Sequence, residues 1–585
     1  MVESQAKLRD LKTGLQLLLK ILSGYRSIAL ISILGALIWM AMIVVIPYLV
    51  GSIVDEAVTA RDTSAIWPIL GIMLVAGAIQ ALGIAMRRYF GFKLSYRAEA
   101  DVRNRIFAHI QRMAFNFHDT TSTGELMARA SSDLSQLRLI LSMLPITLAN
   151  LAMFLVVSAV LIVIDPVLGL TASLMVPALL LTSGRFASRV VGFSFDLQAR
   201  LSALSHVVEE SISGIEVVKS YGQESRQLDR LEEKAEVIYD SSMSMARERA
   251  IHRPLFEIIP ALGTVAVLAV GGIRVVDGAI TIGEFVSFTQ YLAVMVLPLM
   301  ITGWFFANLP RSAAAASRID ILLETAPEIA DPRRPVHLPQ GPGQIELRHV
   351  SFAYPDGTAV LEDVSLTIPG GTSVGLVGVT GSGKSTIAHL IPRFYDVSDG
   401  SILLDGIDIR EISLDQLRSE VSVVFQETFL FSASVVDNIR VGDALASDEQ
   451  VRSAARLARA HDFICAMPDG YDTVVGERGA TLSGGQRQRV SLARGVVRDP
   501  RILILDDATS SVDAVVEAEI QEALRQVMSG RTTLIVAHRT STLALVDNVA
   551  FIEDGRLVAF GPHDTLLREI PRYTEVLAAE ESVVG

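Results

Sequence analysis

At 585 residues the chain is too long for one hydrophobic core and must fold as at least two domains. Hydrophobic residues make up 50% and charged residues 20%, the net charge is −13, and no basic stripe interleaves with aromatics, which argues against nucleic acid as a partner. The single cysteine, Cys465, excludes an internal disulfide and any multi-cysteine metal site, and its residue type predicts a small buried apolar position.

The mean hydropathy of +0.43 hides an asymmetry. Apolar stretches crowd the first 310 residues, whereas the remainder reads as a soluble α/β domain. The first such stretch, Ser27–Val54, is free of charge, too long for a signal-peptide core and lacks a small-residue cleavage site. Five more follow, giving predicted spans at 27–54, 65–86, 139–164, 166–184, 254–273 and 285–310, each near the ~20 residues that cross a bilayer. Only the fifth carries a charge, Glu257.

The connections sort into two kinds. Residues 55–64, the Asp165–Pro166 turn and residues 274–284 are short and poor in basic residues. Residues 87–138 and 185–253 are long and rich in Arg and Lys, as is the N-terminus. The positive-inside rule puts the N-terminus and both long loops in the cytoplasm, and six spans return the chain there. Rich in Glu, Arg, Ala, Leu and Gln, both loops should be helical, projecting roughly 40–50 Å as down-and-back pairs. Their less regular tips, Phe117–Leu126 and Glu210–Gly222, are candidates to dock on a cytoplasmic domain. Glu257, Gln80, Gln290 and Asn150 are polar groups in or near spans, fitted either to line a pathway or to hydrogen-bond between helices. Pro327, Pro332, Pro335, Pro339 and Pro342 then mark a linker. The expected division is a membrane domain at 1–324, a linker at 325–343 and a second domain at 344–585.

From Ile345 short β-rich runs alternate with helical ones, predicting an α/β sheet with its ligand at the carboxyl ends of the strands. Residues 378–386, GVTGSGKST, fit G-x-x-x-x-G-K-[ST], after an apolar strand (373–377) and before a helix. The glycines let backbone N–H groups converge on phosphate oxygens. Gly378, Thr380, Gly381, Ser382, Gly383, Lys384, Ser385 and Thr386 are therefore the candidate nucleoside-triphosphate-binding residues. Lys384 can reach the β- and γ-phosphates and Ser385 can ligate Mg²⁺. Ile502–Leu505 reads as a buried strand ending in Asp506 and Asp507, with Asp506 placed to hold Mg²⁺, directly or through water. Ser483, Gly484, Gly485 and Gln486 open another helical run; on spacing alone they are either a second phosphate cradle or a flexible loop.

GVTGSGKST, Gln426 in VVFQETFLF, LSGGQRQR, ILILDDATSSVD and His538 in LIVAHR together resemble an ATP-binding-cassette (ABC) ATPase. The first half resembles the exporter branch, with six spans, FHDTTSTGELMARASSD and GIEVVKSYGQE. The resemblance covers nearly the whole chain and implies a half-transporter: a helical membrane domain with long cytoplasmic extensions fused to an α/β P-loop ATPase. It implies ATP and Mg²⁺ as cofactors, a lipid bilayer, a small hydrophobic substrate, a second half-transporter subunit, and a multi-pass place in the plasma membrane with both termini cytoplasmic. By that resemblance Tyr354 stacks on adenine, Gln426 senses Mg²⁺ and the γ-phosphate, and His538 contacts the γ-phosphate. Asp513 is a cross-dimer contact, and Ser483–Gln486 close over ATP held by the partner. Lys384, Gln426, Asp507 and His538 form the implied catalytic set.

One position departs from the family pattern. Asp507 stands where active members usually carry Glu, and its carboxylate sits back by one methylene. A misplacement near 1 Å can cost on the order of 10²-fold, so this chain's own site is expected to be slow. That asymmetry resembles heterodimeric exporters, with a homodimer as the other assembly. The leading expectation is ATP-driven export of hydrophobic or amphipathic compounds. The alternatives are an ATP-gated or regulatory membrane protein and uptake through an exporter-like fold.

Overall fold

The computed structural model describes residues 2–173, 175–476, 479, 481–506, 514–537 and 539–584. Met1–Gln111 with Ser122–Ala326 form one compact unit, and Arg112–Thr121 with Pro327–Gly585 form the other.

The first unit is helical: α1 (Arg26–Ile53), α2 (Ile66–Ile110), α3 (Leu134–Ile164), α4 (Met175–Ser213), α5 (Glu224–Val276) and α6 (Ile282–Glu324), with a short helix Pro166–Ser173 after α3. Among the described residues five helical stretches are long and apolar enough to cross a membrane: Arg26–Thr59, Thr63–Ile110, Thr123–Ile164, Glu257–Val276 and Ile282–Glu324. The span expected at 166–184 contains Leu174, which lies outside the described residues. Helices α2, α5 and α6 have 45, 53 and 43 residues. At ~1.5 Å per residue they run about twice the ~30 Å hydrocarbon core, so each apolar segment continues as a polar extension. The long polar loops are thus largely helical, as their composition predicts.

Close backbone approach holds these helices where lipid offers no hydrophobic drive. A Cβ on Gly35 would meet the Arg87 backbone nitrogen at 2.7 Å, and one on Gly83 would meet the Trp39 nitrogen at 2.8 Å, so only glycine lets α1 and α2 cross there. Polar side chains supply the other ties. Tyr291 donates to the Val44 carbonyl at 2.7 Å and Ser287 to the Pro47 carbonyl at 2.9 Å, joining α6 to α1. The Asp165 side chain caps the Pro166 helix through the Val167 and Leu168 amides (3.0 and 2.9 Å) and accepts from Arg274 Nε at 2.9 Å.

The second unit carries two sheets. An antiparallel sheet runs in the order β2 (Ala359–Ile368), β1 (Ile345–Ala353), β4 (Asp399–Leu404), β5 (Ile407–Asp408). The other runs β10 (Arg556–Gly561), β9 (Asn548–Glu553), β3 (Ser373–Val377), β8 (Thr532–Val536), β7 (Ile502–Asp506), β6 (Val421–Val424), parallel except at the β10 edge. Strands β3, β7 and β8 are buried throughout, which is why they read as unbroken apolar or Thr/Val runs instead of alternating ones. Residues 112–121 belong here because Phe115 stacks on Phe394 at 4.4 Å and Tyr395 donates to Asp119 at 2.5 Å. The second loop tip stays in the helical unit as a short helix, Ile215–Ser220. Cys465 corrects an expectation: it is exposed, not buried, at the end of a five-residue helix, His461–Cys465, with Sγ 3.7 Å from His461 Nε2.

Candidate nucleotide site

The topology brings two strand ends together. Strand β8 lies between β3 and β7, so the glycine-rich turn after Val377 and the carboxylate at Asp506 open on the same sheet end. Helix α7 (Lys384–Leu390) leaves that turn from Gly383, at φ +99°. A Cβ there would also meet Leu361 Cδ2 at 2.5 Å, so the sequence must supply glycine.

The chain wraps tightly around its own lysine. Lys384 is 5% exposed, and its ammonium donates to the Gly378 carbonyl and, at 3.0 Å, to that of Val379. Thr380 and Gly381 are exposed at the crown, Gly381 with φ +85°. Ser382 is buried, and its Oγ has no hydrogen-bond partner among the described residues. An orphaned hydroxyl under an exposed crown of backbone is a cradle that fits phosphate oxygens.

Ser385, the residue after Lys384, donates to Asp506 Oδ1 at 3.0 Å. These two hard oxygen donors suit Mg²⁺, which keeps its remaining positions for phosphate and water. Among the described residues no group of three or more His, Cys, Asp or Glu could hold a metal ion. Thr386 is buried, and its hydroxyl lies 3.3 Å from that of Tyr354. The Tyr354 ring packs edge-on against Phe352 and Tyr395, with centroids 4.9 and 5.5 Å apart. Gln426 is exposed just beyond β6. Asp507, Asp513 and His538 lie outside the described residues; Ala537, beside His538, donates its amide to the Leu376 carbonyl at 3.1 Å.

Ser483 caps α8 (Gly484–Val496) through a capping box. Its Oγ accepts from the Gln486 amide at 3.3 Å, and its own amide donates to Gln486 Oε1 at 3.0 Å. Ser483 is exposed, Gly484 half-buried and Gly485 buried, so the helix opens at the surface on its cap residue.

The motifs do not announce the cluster behind α7. His389 sits one turn after Ser385, with Nε2 3.9 Å from Asp506 Oδ2. Burial pushes its pKa down, against the upward pull of Asp506 and Asp119. Burial, helped by the bond to Asp119, raises the Tyr395 phenol well above its ordinary value, so it stays a donor. The i, i+4 spacing of Ser385 and His389 was the available signal; the reach to Asp506 was not.

A glycine-cradled lysine, a hydroxyl–carboxylate pair between α7 and β7 and a long-helix bundle define a P-loop nucleotide-binding unit and a membrane unit in one chain. Residues 28–299 match the family described as ABC transporter transmembrane region, and residues 361–510 match the family described as ABC transporter. The chain is 36% identical over 521 residues to the ATP-dependent lipid A-core flippase of Syntrophus aciditrophicus, covering 88% of this chain and 86% of that protein. It is 36% identical over 561 residues to a multidrug efflux ATP-binding/permease protein of Mycobacterium tuberculosis, covering 95% of this chain but 47% of that protein, and so spans about half its length. The solved structure of a bacterial Atm1-family ABC exporter with ATP bound is similar with a TM-score of 0.79 at 29% identity, covering 95% of this chain and 98% of that one. The chain belongs to the ABC transporter family and carries both its transmembrane and its ATP-binding domain.

Proposed function

We propose that this chain is one half of a dimeric exporter that uses ATP to move hydrophobic or amphipathic compounds across the plasma membrane by alternating access. The observation that carries the reading is the pairing of Ser385 with Asp506 beside the buried Lys384, in a chain whose other half consists of apolar helices. Similarity to efflux and flippase proteins supports export over uptake.

In this reading residues 1–324 are the membrane domain with six spans, 325–343 the linker, 344–585 the ATPase, and both termini are cytoplasmic. Tyr354 offers its ring to adenine. The backbone from Gly378 to Gly383 and the Lys384 ammonium hold the phosphates, with Ser382 and Thr386 adding hydroxyls. Ser385, Asp506 and Gln426 would hold Mg²⁺, which when bound neutralises charge on the β- and γ-phosphates. His538 contacts the γ-phosphate, and Asp507 orients the water poorly because it is short. The Ser483–Gln486 start of α8 closes over the partner's ATP, and Asp513 meets the partner. The short Asp507 favours a heterodimer whose partner supplies the competent glutamate. In the membrane unit, Glu257 lines a cavity of about 490 Å³ with Met245, Arg249 and Pro254, a candidate contact for an amphipath. Asn150 is fully buried, and its Nδ2 reaches the Pro298 carbonyl and Thr302 at 3.4 Å, which favours a helix tie.

The test is transport in sealed vesicles. ATP should drive accumulation of a fluorescent amphiphile, with inhibition by vanadate and loss in Lys384→Ala. Nucleotide binding without accumulation would mark a regulator, and accumulation in the opposite direction would mark an importer.

A further inference from the structure

We propose that His389 is a positioning residue for the magnesium site: it holds the second carboxylate oxygen of Asp506 so that the first faces Ser385 and the cation. The proposal rests on the reading of Ser385 and Asp506 as the magnesium-holding pair.

The geometry is specific. Asp506 is 6% exposed, and its two oxygens are addressed by two side chains of one helix. Ser385 donates to Oδ1 at 3.0 Å, and His389 Nε2 lies 3.9 Å from Oδ2. Residues four apart share one face of a helix, so α7 presents both to β7 at once. At 3.9 Å Nε2 stands just beyond hydrogen-bond reach of the carboxylate, and a small ring rotation completes the bond. A carboxylate with one oxygen left loose can swing about its terminal torsion, which is broad and soft. An N–H on that oxygen removes the freedom.

His389 is itself wedged. Phe425, Phe394 and Tyr395 surround its ring with centroids 6.1, 6.2 and 6.4 Å away. Phe394 stacks on Phe425 at 6.0 Å with an interplanar angle of 20°, making a wall behind the imidazole. The ring therefore has a fixed place from which to hold Asp506. Partners of metal ligands at this remove typically contribute 10–100-fold to metal affinity.

The experiment measures binding, not turnover. The full chain in lipid nanodiscs is titrated with a non-hydrolysable ATP analogue, once with Mg²⁺ and once in EDTA. Wild type should bind more tightly with Mg²⁺. In His389→Leu the affinity with Mg²⁺ should fall about 10-fold, while that in EDTA stays within about twofold. His389→Gln, whose amide stands where Nε2 does, should restore most of the magnesium-dependent gain. If the leucine variant does not fold, His389→Asn, too short to reach Asp506, carries the same expectation. Equal losses in Mg²⁺ and EDTA, or no loss in either, overturn the role of His389. A wild type that binds equally in Mg²⁺ and EDTA overturns the Ser385–Asp506 assignment, and this proposal with it.

Discussion

Two glycine-bearing helix starts of the second unit, those of α7 and α8, are built in opposite ways. The start of α7 is closed. Its lysine is buried against carbonyls of its own loop, its serine is tied to Asp506, and Ser382 keeps an orphaned hydroxyl inside. The start of α8 is open. Ser483 is exposed, and its hydroxyl and amide are both committed to Gln486. The first region carries the parts of a phosphate site within one chain. The second, in the proposed reading, is half of an interface whose ligand is the partner's ATP. A family motif thus names both regions, but only the closed one is a site by its own geometry.

The sharpest way to break this contrast is to damage each region and ask which chain's ATP suffers. Lys384→Ala removes the cation from the closed cradle. Loss of a charge-assisted contact worth about 1.5–3 kcal/mol should weaken ATP binding to this chain by at least 10-fold and stop transport. Equilibrium nucleotide binding checks it, and undiminished affinity would refute the site. Ser483→Arg should do the reverse. It should abolish most turnover of the assembled complex while this chain's own ATP affinity stays within about twofold, because the bulk lies over the partner's phosphate. Parallel loss of affinity in this chain would mean that α8 serves its own P-loop.

Asp507→Ala tests the proposed asymmetry between two composite sites and should have a smaller effect. With a competent partner, turnover should fall by less than about threefold, because little hydrolysis ran through a carboxylate set back by about 1 Å. The chain purified alone decides the matter. Brisk, vanadate-sensitive ATPase that collapses in Asp507→Ala would establish a homodimer and end the heterodimer reading.

Sequence and structure agree where chemistry is local and part company where it is not. The P-loop is legible because its glycines, lysine and serine are consecutive, and the strand before it is unbroken apolar sequence. The membrane helices are legible because charge-free length is itself the signal. The α1–α2 crossing at Gly35 and Gly83 is not, since two glycines 48 residues apart carry no mark of being opposite one another (83 − 35 = 48). The association of residues 112–121 with the ATPase unit is legible in part: the irregular run from Phe117 marks a docking tip, but that Phe115 meets Phe394 and Asp119 meets Tyr395 is not written in the sequence. The exposure of Cys465 was missed for a related reason. Residue type gives an average burial, and the end of a five-residue helix overrides it.

The smallest expected effect is at Gln486, and it separates a cap from a phosphate contact. Gln486→Ala removes the side chain that accepts from the Ser483 amide. The loss should cost about 0.5–1 kcal/mol, and amides of the first turn of α8 should exchange up to about fivefold faster, with ATP affinity at the P-loop unchanged. Gln486→Glu keeps the acceptor and so should keep the cap, because Ser-x-x-Glu forms the same reciprocal pair. It also places a negative charge beside the position assigned to the partner's γ-phosphate. If that assignment holds, the glutamate variant exchanges as slowly as wild type yet turns over several-fold more slowly, with the deficit shrinking as salt screens the repulsion. If both variants turn over normally, α8 starts with a capped helix and nothing more, and the open region loses its claim to a phosphate.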